Sequence, residues 1–273
     1  MQPQEQPPSA DALATVARPA RALVGWVPEQ EAALWLASRR ADLQQQPQYV
    51  ERARQAREAA LSLNRVLDQS VALAPPPQEL AAHWNAWSQH PAGAPFVAEG
   101  WQLAIADLTR ICAIQPLVYT DYPTERIASL TQDDMAVLAA ITLPIPSPAN
   151  LAAHFDDAQH AWIFSSSNPN LHIMGQFNAQ LQPGVMGFGF AVGLSPSFIQ
   201  IASFQGRLIL RDGYHRAFAL LAAGLSRVPV IHRTFNTSTE LALPQGLFPF
   251  DVFLGPNPPL LTDYHDDRVS AAI

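Results

Sequence analysis

No lysine occurs anywhere in the chain, and all sixteen basic side chains are arginine. The absence excludes Schiff-base chemistry, a lysine general base and a P-loop lysine, each of which needs an ε-amine. Arginine, histidine and backbone N–H groups are left to hold any phosphate, although a GC-rich genome would leave the same mark. Cysteine is nearly absent too. Cys112 stands alone in the apolar stretch 105–118, has no partner for an intramolecular disulfide and reads as a small buried hydrophobe, consistent with a reducing compartment. A catalytic thiolate would need a cationic, accessible setting, and only Arg110 lies close in sequence. No run of about 18 apolar residues occurs, so no membrane-spanning helix is expected. Residues 1–8 are rich in Gln and Pro with no apolar core behind them, unlike a secretory signal. Charge is sparse, at 14% of residues with a formal net of −7, which disfavours nucleic acid as a partner. The expectation is a soluble, cytoplasmic protein with no membrane partner.

What is present is apolar material in quantity. With 273 residues and 48% hydrophobic content the chain can bury a sizeable core, as one large domain or two smaller ones. Composition shifts once, near residue 95, and divides the chain into four parts: a flexible or loosely docked arm at 1–24, a helical region at 25–95, a mixed domain at 96–240 and a Pro-rich tail at 241–273. Helices are expected from Pro28 through Arg40, from Pro47 to about Val71, and over 78–89 after the Pro75-Pro76-Pro77 break. Trp84 and Trp87, three apart, read as packing anchors. Arg52, Arg54 and Arg57 read as a salt-bridged helix face, with an acidic partner as the alternative. Farther on, 101–113, 132–141 and 150–160 have helical character, while 114–119 and 162–165 look like strands. Residues 199–203 and 207–210 pair as a hairpin across Phe204-Gln205-Gly206.

The most informative segment is 206–233. The short apolar run Leu208-Ile209-Leu210 stops at Asp212-Gly213, an Ala- and Leu-rich helix follows from Tyr214 to Ala223, and Gly224 falls where a left-handed cap ends it. His215 and Arg216 sit in the first helical turn, beside free N–H groups and the positive end of the helix dipole. That is an anion site in outline, most naturally for phosphate. A purely structural role also fits: Asp212 as a cap and Arg216 paired with a carboxylate.

With Gly213, His215 and Arg216, then Gly224, then Val228-Pro229-Val230, the segment resembles the ParB/sulfiredoxin-like superfamily, whose members share a strand, a Gly-x-x-Arg turn, a helix, a short Gly turn and a Val-Pro-Val strand. The stretch Ile114-Gln115-Pro116-Leu117-Val118-Tyr119 looks like an early strand of such domains. The resemblance implies an α+β protein, its N-terminal helical region packed on a ParB/sulfiredoxin-like mixed sheet-and-helix domain. It also implies that the turn Asp212, Gly213, Tyr214, His215, Arg216 holds phosphate: ATP in sulfiredoxins and a free-serine kinase, CTP in chromosome-partitioning proteins. Tyr214 departs from the pattern. Sulfiredoxins carry a catalytic Cys there, so sulfinic-acid repair is excluded, and a Tyr cannot stand in for the Glu of other members as base or metal ligand at neutral pH. A phosphate- or nucleotide-binding protein is therefore expected, with phosphotransferase or nucleotide-hydrolase chemistry as its catalytic form and a nucleoside triphosphate with Mg²⁺ as the cofactor such chemistry would use. The alternative is a non-catalytic interaction module that keeps the turn as scaffold.

Three further groups carry weaker signals. His154, Asp156, Asp157 and His160 would share a helix, with Asp156 and His160 at metal-ligand spacing, and Asp263, His265, Asp266 and Asp267 form a second acidic and histidine group; solvated surface is the simpler account of both. The run Ser165-Ser166-Ser167-Asn168-Pro169-Asn170 reads as a loop without a nucleophile elbow. Residues 184–193 alternate Gly with Phe and Val, matching neither a dinucleotide fingerprint nor a P-loop, and suggest a strand or loop packed close against the core.

Overall fold

The computed structural model describes residues 18–38, 46–125, 127–146, 152–165, 171–194 and 197–273. In chain order the regular elements are β1 (Ala20–Ala22), α1 (Glu29–Ser38), α2 (Gln46–Ser62), β2 (Leu73–Ala74), α3 (Ala81–Gln89), α4 (Ala94–Ala98), β3 (Gln102–Asp107), β4 (Cys112–Ala113), β5 (Leu117–Tyr119) and α5 (Met135–Thr142). They continue with β6 (Ala152–Asp156), β7 (Ala161–Ser165), β8 (Leu171–Gln182), β9 (Val185–Leu194), β10 (Gln200–Phe204), β11 (Arg207–Asp212), α6 (Tyr214–Ala222), β12 (Arg227–Phe235), α7 (Ser238–Leu241), α8 (Phe250–Phe253) and β13 (Ala271–Ala272). The class is α+β.

A mixed sheet in the order β2-β3-β12-β10-β11-β4 forms the centre. β12 has the unbroken apolar run Val228-Pro229-Val230-Ile231, which suits an interior strand. Proline is tolerated there for a local reason. Ile231 donates its N–H to Ile199 O at 3.0 Å on the β10 side, and Pro229, two residues earlier, faces the same way beyond the start of β10, so no ladder bond is lost. β10 and β11 pair across the two-residue turn Gln205-Gly206, whose φ values of 48° and 76° belong to the mirror-image turn that matches strand twist.

A second, three-stranded antiparallel sheet, β13-β1-β5, joins both ends of the described chain. Its middle strand lies within the expected arm at 1–24. Residues 1–17 fall outside the described residues, but Ala20, Ala22, Leu23 and Val24 are buried, because β5 and β13 supply the ladder partners that this short stretch lacks alone. The composition change near residue 95 marks a switch from helices to strands and no break in the core: Ala53 and Ala56 of α2, Trp87 of α3, Val230 of β12 and Tyr264 of the tail share one buried cluster. Aromatic rings tie the corner together, with Trp87 to Phe198 at 5.0 Å, Phe96 to Trp101 at 6.0 Å and Trp101 to Phe235 at 5.7 Å.

Several expectations give way to tertiary context. Residues 101–113 form no α-helix but contain β3, a 3₁₀ turn at Leu108–Arg110 and β4, since residues 103–106 are equally apolar as helix or strand and their neighbours β2 and β12 decide. The helix expected through Val71 ends at Ser62, freeing Arg65 to reach Asp263 at 2.5 Å. Within 150–160, the described residues form β6 and a turn rather than a helix; Asp156 Oδ1 accepts from Ala158 N–H and Gln159 N–H at 2.9 and 3.1 Å, and this local competition defeats the helix. Residues 185–194 are a strand, as the alternation suggests, but the strand lies out in solvent rather than against the core.

Candidate functional site

The turn between β11 and α6 is built around Gly213. Its φ is +91°, and a Cβ added there would lie 2.9 Å from both Ile199 Cα and Phe198 O, so glycine is required by conformation and by space. The helix it opens has no side-chain cap. Asp212 does not cap it; Oδ1 accepts the Gly213 N–H at 2.6 Å, while Oδ2 accepts from Gln200 Nε2 at 3.2 Å. Burial pushes the Asp212 carboxyl above its ordinary range, opposed by that N–H and by the charges of Arg216 and Arg211. The far end of α6 closes as the sequence suggests: Gly224, at φ +78°, donates to Leu221 O at 3.0 Å, and Leu225 donates to Leu220 O at 2.9 Å.

Tyr214, expected among the phosphate-binding residues, points into the core instead. It is 4% exposed, and its hydroxyl accepts from Ile114 N–H at 2.8 Å and Gln115 N–H at 3.2 Å while donating to Leu210 O at 2.5 Å. Burial holds the phenol well above its usual range, so no proton leaves it near neutral pH. The Tyr214 hydroxyl thereby pins β11 to the 114–115 segment.

His215 is partly buried and Arg216 nearly fully so. Desolvation, then the nearby charge of Arg18, pushes the His215 imidazole below 6.5, with Asp121 opposing and Arg216 adding to the fall. Its Nε2 is buried without a hydrogen-bond partner among the described residues, and its ring sits 5.4 Å from that of Tyr119. Arg18 lies 4.2 Å over the Tyr119 ring and is engaged by both Asp121 oxygens at 2.7 Å. Arg216 is 6% exposed. Nε donates to Tyr122 Oη at 3.3 Å, and Nη1 to Ser197 O at 2.7 Å and Thr142 O at 3.3 Å. All three acceptors are neutral, no carboxylate within ion-pair distance joins them, and Nη2 has no bond among the described residues. The expected alternative of an Arg216–carboxylate pair is absent from the described residues.

Nothing in the local sequence announces Tyr122, Thr142 or Ser197, which reach Arg216 from positions far from it in the chain. Thr142 and Ser197 are also the two ends of the long excursion that carries β6 to β9, so Arg216 holds its neck closed.

The other candidates disperse. Asp263 pairs with Arg65, Asp266 with Arg268 at 2.7 Å and Asp267 with Arg21 at 2.5 Å, while His265 stacks on Phe218 at 4.2 Å. Among the described residues no group of three His, Cys, Asp or Glu side chains converges as metal ligands would. Cys112 is fully buried, and desolvation pushes its thiol up to about 12, which makes it a packing residue. Arg54 bridges Glu51 and Glu58, and Arg52 donates to the Ser270 carbonyl at 3.0 Å, so these arginines serve the fold. Trp84 stacks on Trp87 at 5.2 Å. Ser166 to Asn170 lie outside the described residues. A groove of about 530 Å³ near Pro76, Trp84 and Trp101 shares no residue with the α6 turn. No protein-family model matches the chain, and neither a curated protein nor a solved structure does.

Proposed function

We propose that the start of α6 binds a phosphate group, free or as part of a nucleotide. The observation that carries this is Arg216, a nearly buried guanidinium with three donors fixed on neutral acceptors and its Nη2 edge uncommitted. Buried charges are ordinarily paired. A bound anion would complete the arrangement, met by the Nη2 donors, by the uncapped N–H groups after Gly213 and by the unpartnered His215 Nε2. Because burial disfavours the His215 imidazolium, the ring meets an anion as a neutral N–H donor at pH 7, and phosphate binding draws its titration back upward. The strand, Gly turn, helix, Gly turn and Val-Pro-Val order agrees with the ParB/sulfiredoxin-like resemblance, in which this turn is the phosphate site.

With Tyr214 committed to the core, a binding role is favoured over phosphotransfer or nucleotide hydrolysis. The second reading, a non-catalytic scaffold, draws on the bonds from Arg216 to Thr142 and Ser197, which are structural in themselves. Thermal shift with inorganic phosphate, ATP, CTP and GTP, with and without Mg²⁺, separates the two. At about 100 times its dissociation constant a true ligand stabilises by roughly 2.7 kcal/mol, a rise on the order of 5–10 °C for a chain of this size. His215→Ala should shrink the rise while leaving the unliganded melt nearly in place, and Arg216→Lys should remove most of it, since an ammonium lacks the planar fork. An unmoved wild-type melt with every ligand leaves the scaffold reading in possession.

A further inference from the structure

Among the described residues β8 and β9 form a two-stranded ribbon that pairs with no other strand and makes only sparse contact with the other named elements. Its surface is unusual in what it exposes. Phe177, Phe188 and Phe190 are 65%, 74% and 55% exposed, and at roughly 200 Å² per ring side chain they leave about 400 Å² of apolar surface in water. Ile173, Leu181 and Met186 are also more than half exposed, so apolar side chains stand in water on both faces of the ribbon. A ribbon of two strands is marginal by itself, so this one calls for a cover.

Charge identifies the cover. No Asp, Glu, Arg or Lys occurs between Asp157 and Arg207, so the ribbon offers nothing for a charged partner to recognise. The register also argues against lipid. Gln176, Asn178 and Gln180 stand directly opposite Phe190, Phe188 and Met186 and therefore share their face. The other face sets Phe177 over Gly189 and Leu181 over Gly187. Neither is the uniformly apolar face a membrane-spanning strand pair presents.

The two edges differ. β8 is interrupted by register shifts between Ile173 and Gly175 and between Gln180 and Gln182, whereas β9 runs regularly from Val185 to Leu194 with no proline and no charge. Natural sheets blunt free edges with bulges, charges or prolines, and β9 has none of these. It is also compatible with itself: antiparallel pairing about a two-fold axis sets residue i against residue j of the second copy and j against i, and in a charge-free strand no repulsive pair results.

We propose that the outer edge of β9 pairs with β9 of a second copy, making a four-stranded antiparallel sheet across a two-fold axis with the Phe188 and Phe190 rings of both copies on one face. Analytical ultracentrifugation of the full chain at about 1–100 µM tests this. The wild type should sediment at twice its 29.8 kDa mass, and Phe190→Lys, which sets two ammonium groups near the axis, should sediment as one copy with unchanged far-ultraviolet dichroism. Phosphate should shift the melt of Phe190→Lys as it does the wild type, keeping this outcome separate from that of the α6 site. A wild type of single-copy mass at 100 µM, a dimer that survives Phe190→Lys, or a single copy that floats with phosphatidylcholine vesicles would each overturn the proposal.

Discussion

Two hairpins of similar apolar content have opposite fates in this molecule. β10–β11 turns at Gln205-Gly206 and lies between β12 and β4, so that Ile201, Ile209 and Leu210 are wholly buried. β8–β9 turns at Pro183-Gly184, has no flanking strand among the described residues, and leaves Phe188 mostly in water. The turns themselves differ in consequence. Gln205 and Gly206 both take positive φ, which suits the twist of a sheet, whereas only Gly184 does so in the Pro183-Gly184 turn, and a turn of that kind splays its strands. Hydrophobicity alone thus does not decide burial; the availability of neighbouring strands and helices does, and apolar side chains left without them point to a surface completed by another chain.

The sharpest test of this contrast lies in β11. Leu210→Ala removes a wholly buried side chain and should cost about 2–5 kcal/mol, a fall in melting temperature on the order of 5–15 °C by calorimetry. A loss below about 1 kcal/mol would mean that the central sheet is packed far more loosely than its burial indicates.

A smaller effect is expected where the same hairpin hands over to α6. Tyr214→Phe leaves the Ile114 and Gln115 N–H groups and the Leu210 carbonyl without their partner, at a cost of roughly 2–3 kcal/mol in urea titration. Phosphate binding should persist in the folded variant; loss of binding with stability intact would return Tyr214 to the site.

Acid should weaken the buried half of the molecule by a further, smaller amount. His215, His232 and His265 are all held below 6.5, chiefly by desolvation. The unfolded chain therefore takes up protons first as pH falls, so their contribution is complete above 6.5 and is lost as pH drops through the lowered folded values. The raised Asp212 carboxyl opposes the trend. Melting temperature should decline from about pH 7.5 to 5.5, and His232→Asn should flatten the decline; a slope unchanged in that variant would remove His232 from the account.

The least effect belongs to the ribbon. Phe188→Ser, made in the Phe190→Lys background so that assembly does not contribute, should move stability by no more than about 0.5 kcal/mol, because the ring is 74% exposed. A loss of 2 kcal/mol there would show the ribbon to be part of the core and erase the contrast between the hairpins.

Features set by steric demand within a few residues were legible in the chain. Gly213 and Gly224 mark the two ends of α6, Gln205-Gly206 marks a hairpin, and Cys112 in its apolar surroundings reads as buried. Segments whose pattern suits two structures were not. The stretch 101–113 became strand because β2 and β12 offered hydrogen bonds, and Ala20–Ala22 became the middle of a sheet because partners arrived from β5 and β13. The candidate site divides in the same way. That Arg216 opens a helix beside Gly213 could be read directly, but its acceptors at Tyr122, Thr142 and Ser197 could not.

The sequence by itself determined that α6 lies between two glycines able to take positive φ, Gly213 and Gly224, which stretches are apolar, and that arginine and histidine alone could supply cationic side chains for an anion. These are properties of single residues and near neighbours, set by Cβ sterics and side-chain chemistry. Only the tertiary structure decided that Tyr214 turns inward while Arg216 keeps a free edge, and that one apolar hairpin is buried while the other stands out in water. Burial and hydrogen-bond satisfaction depend on groups brought together from distant parts of the chain, and no local pattern encodes which of them will meet.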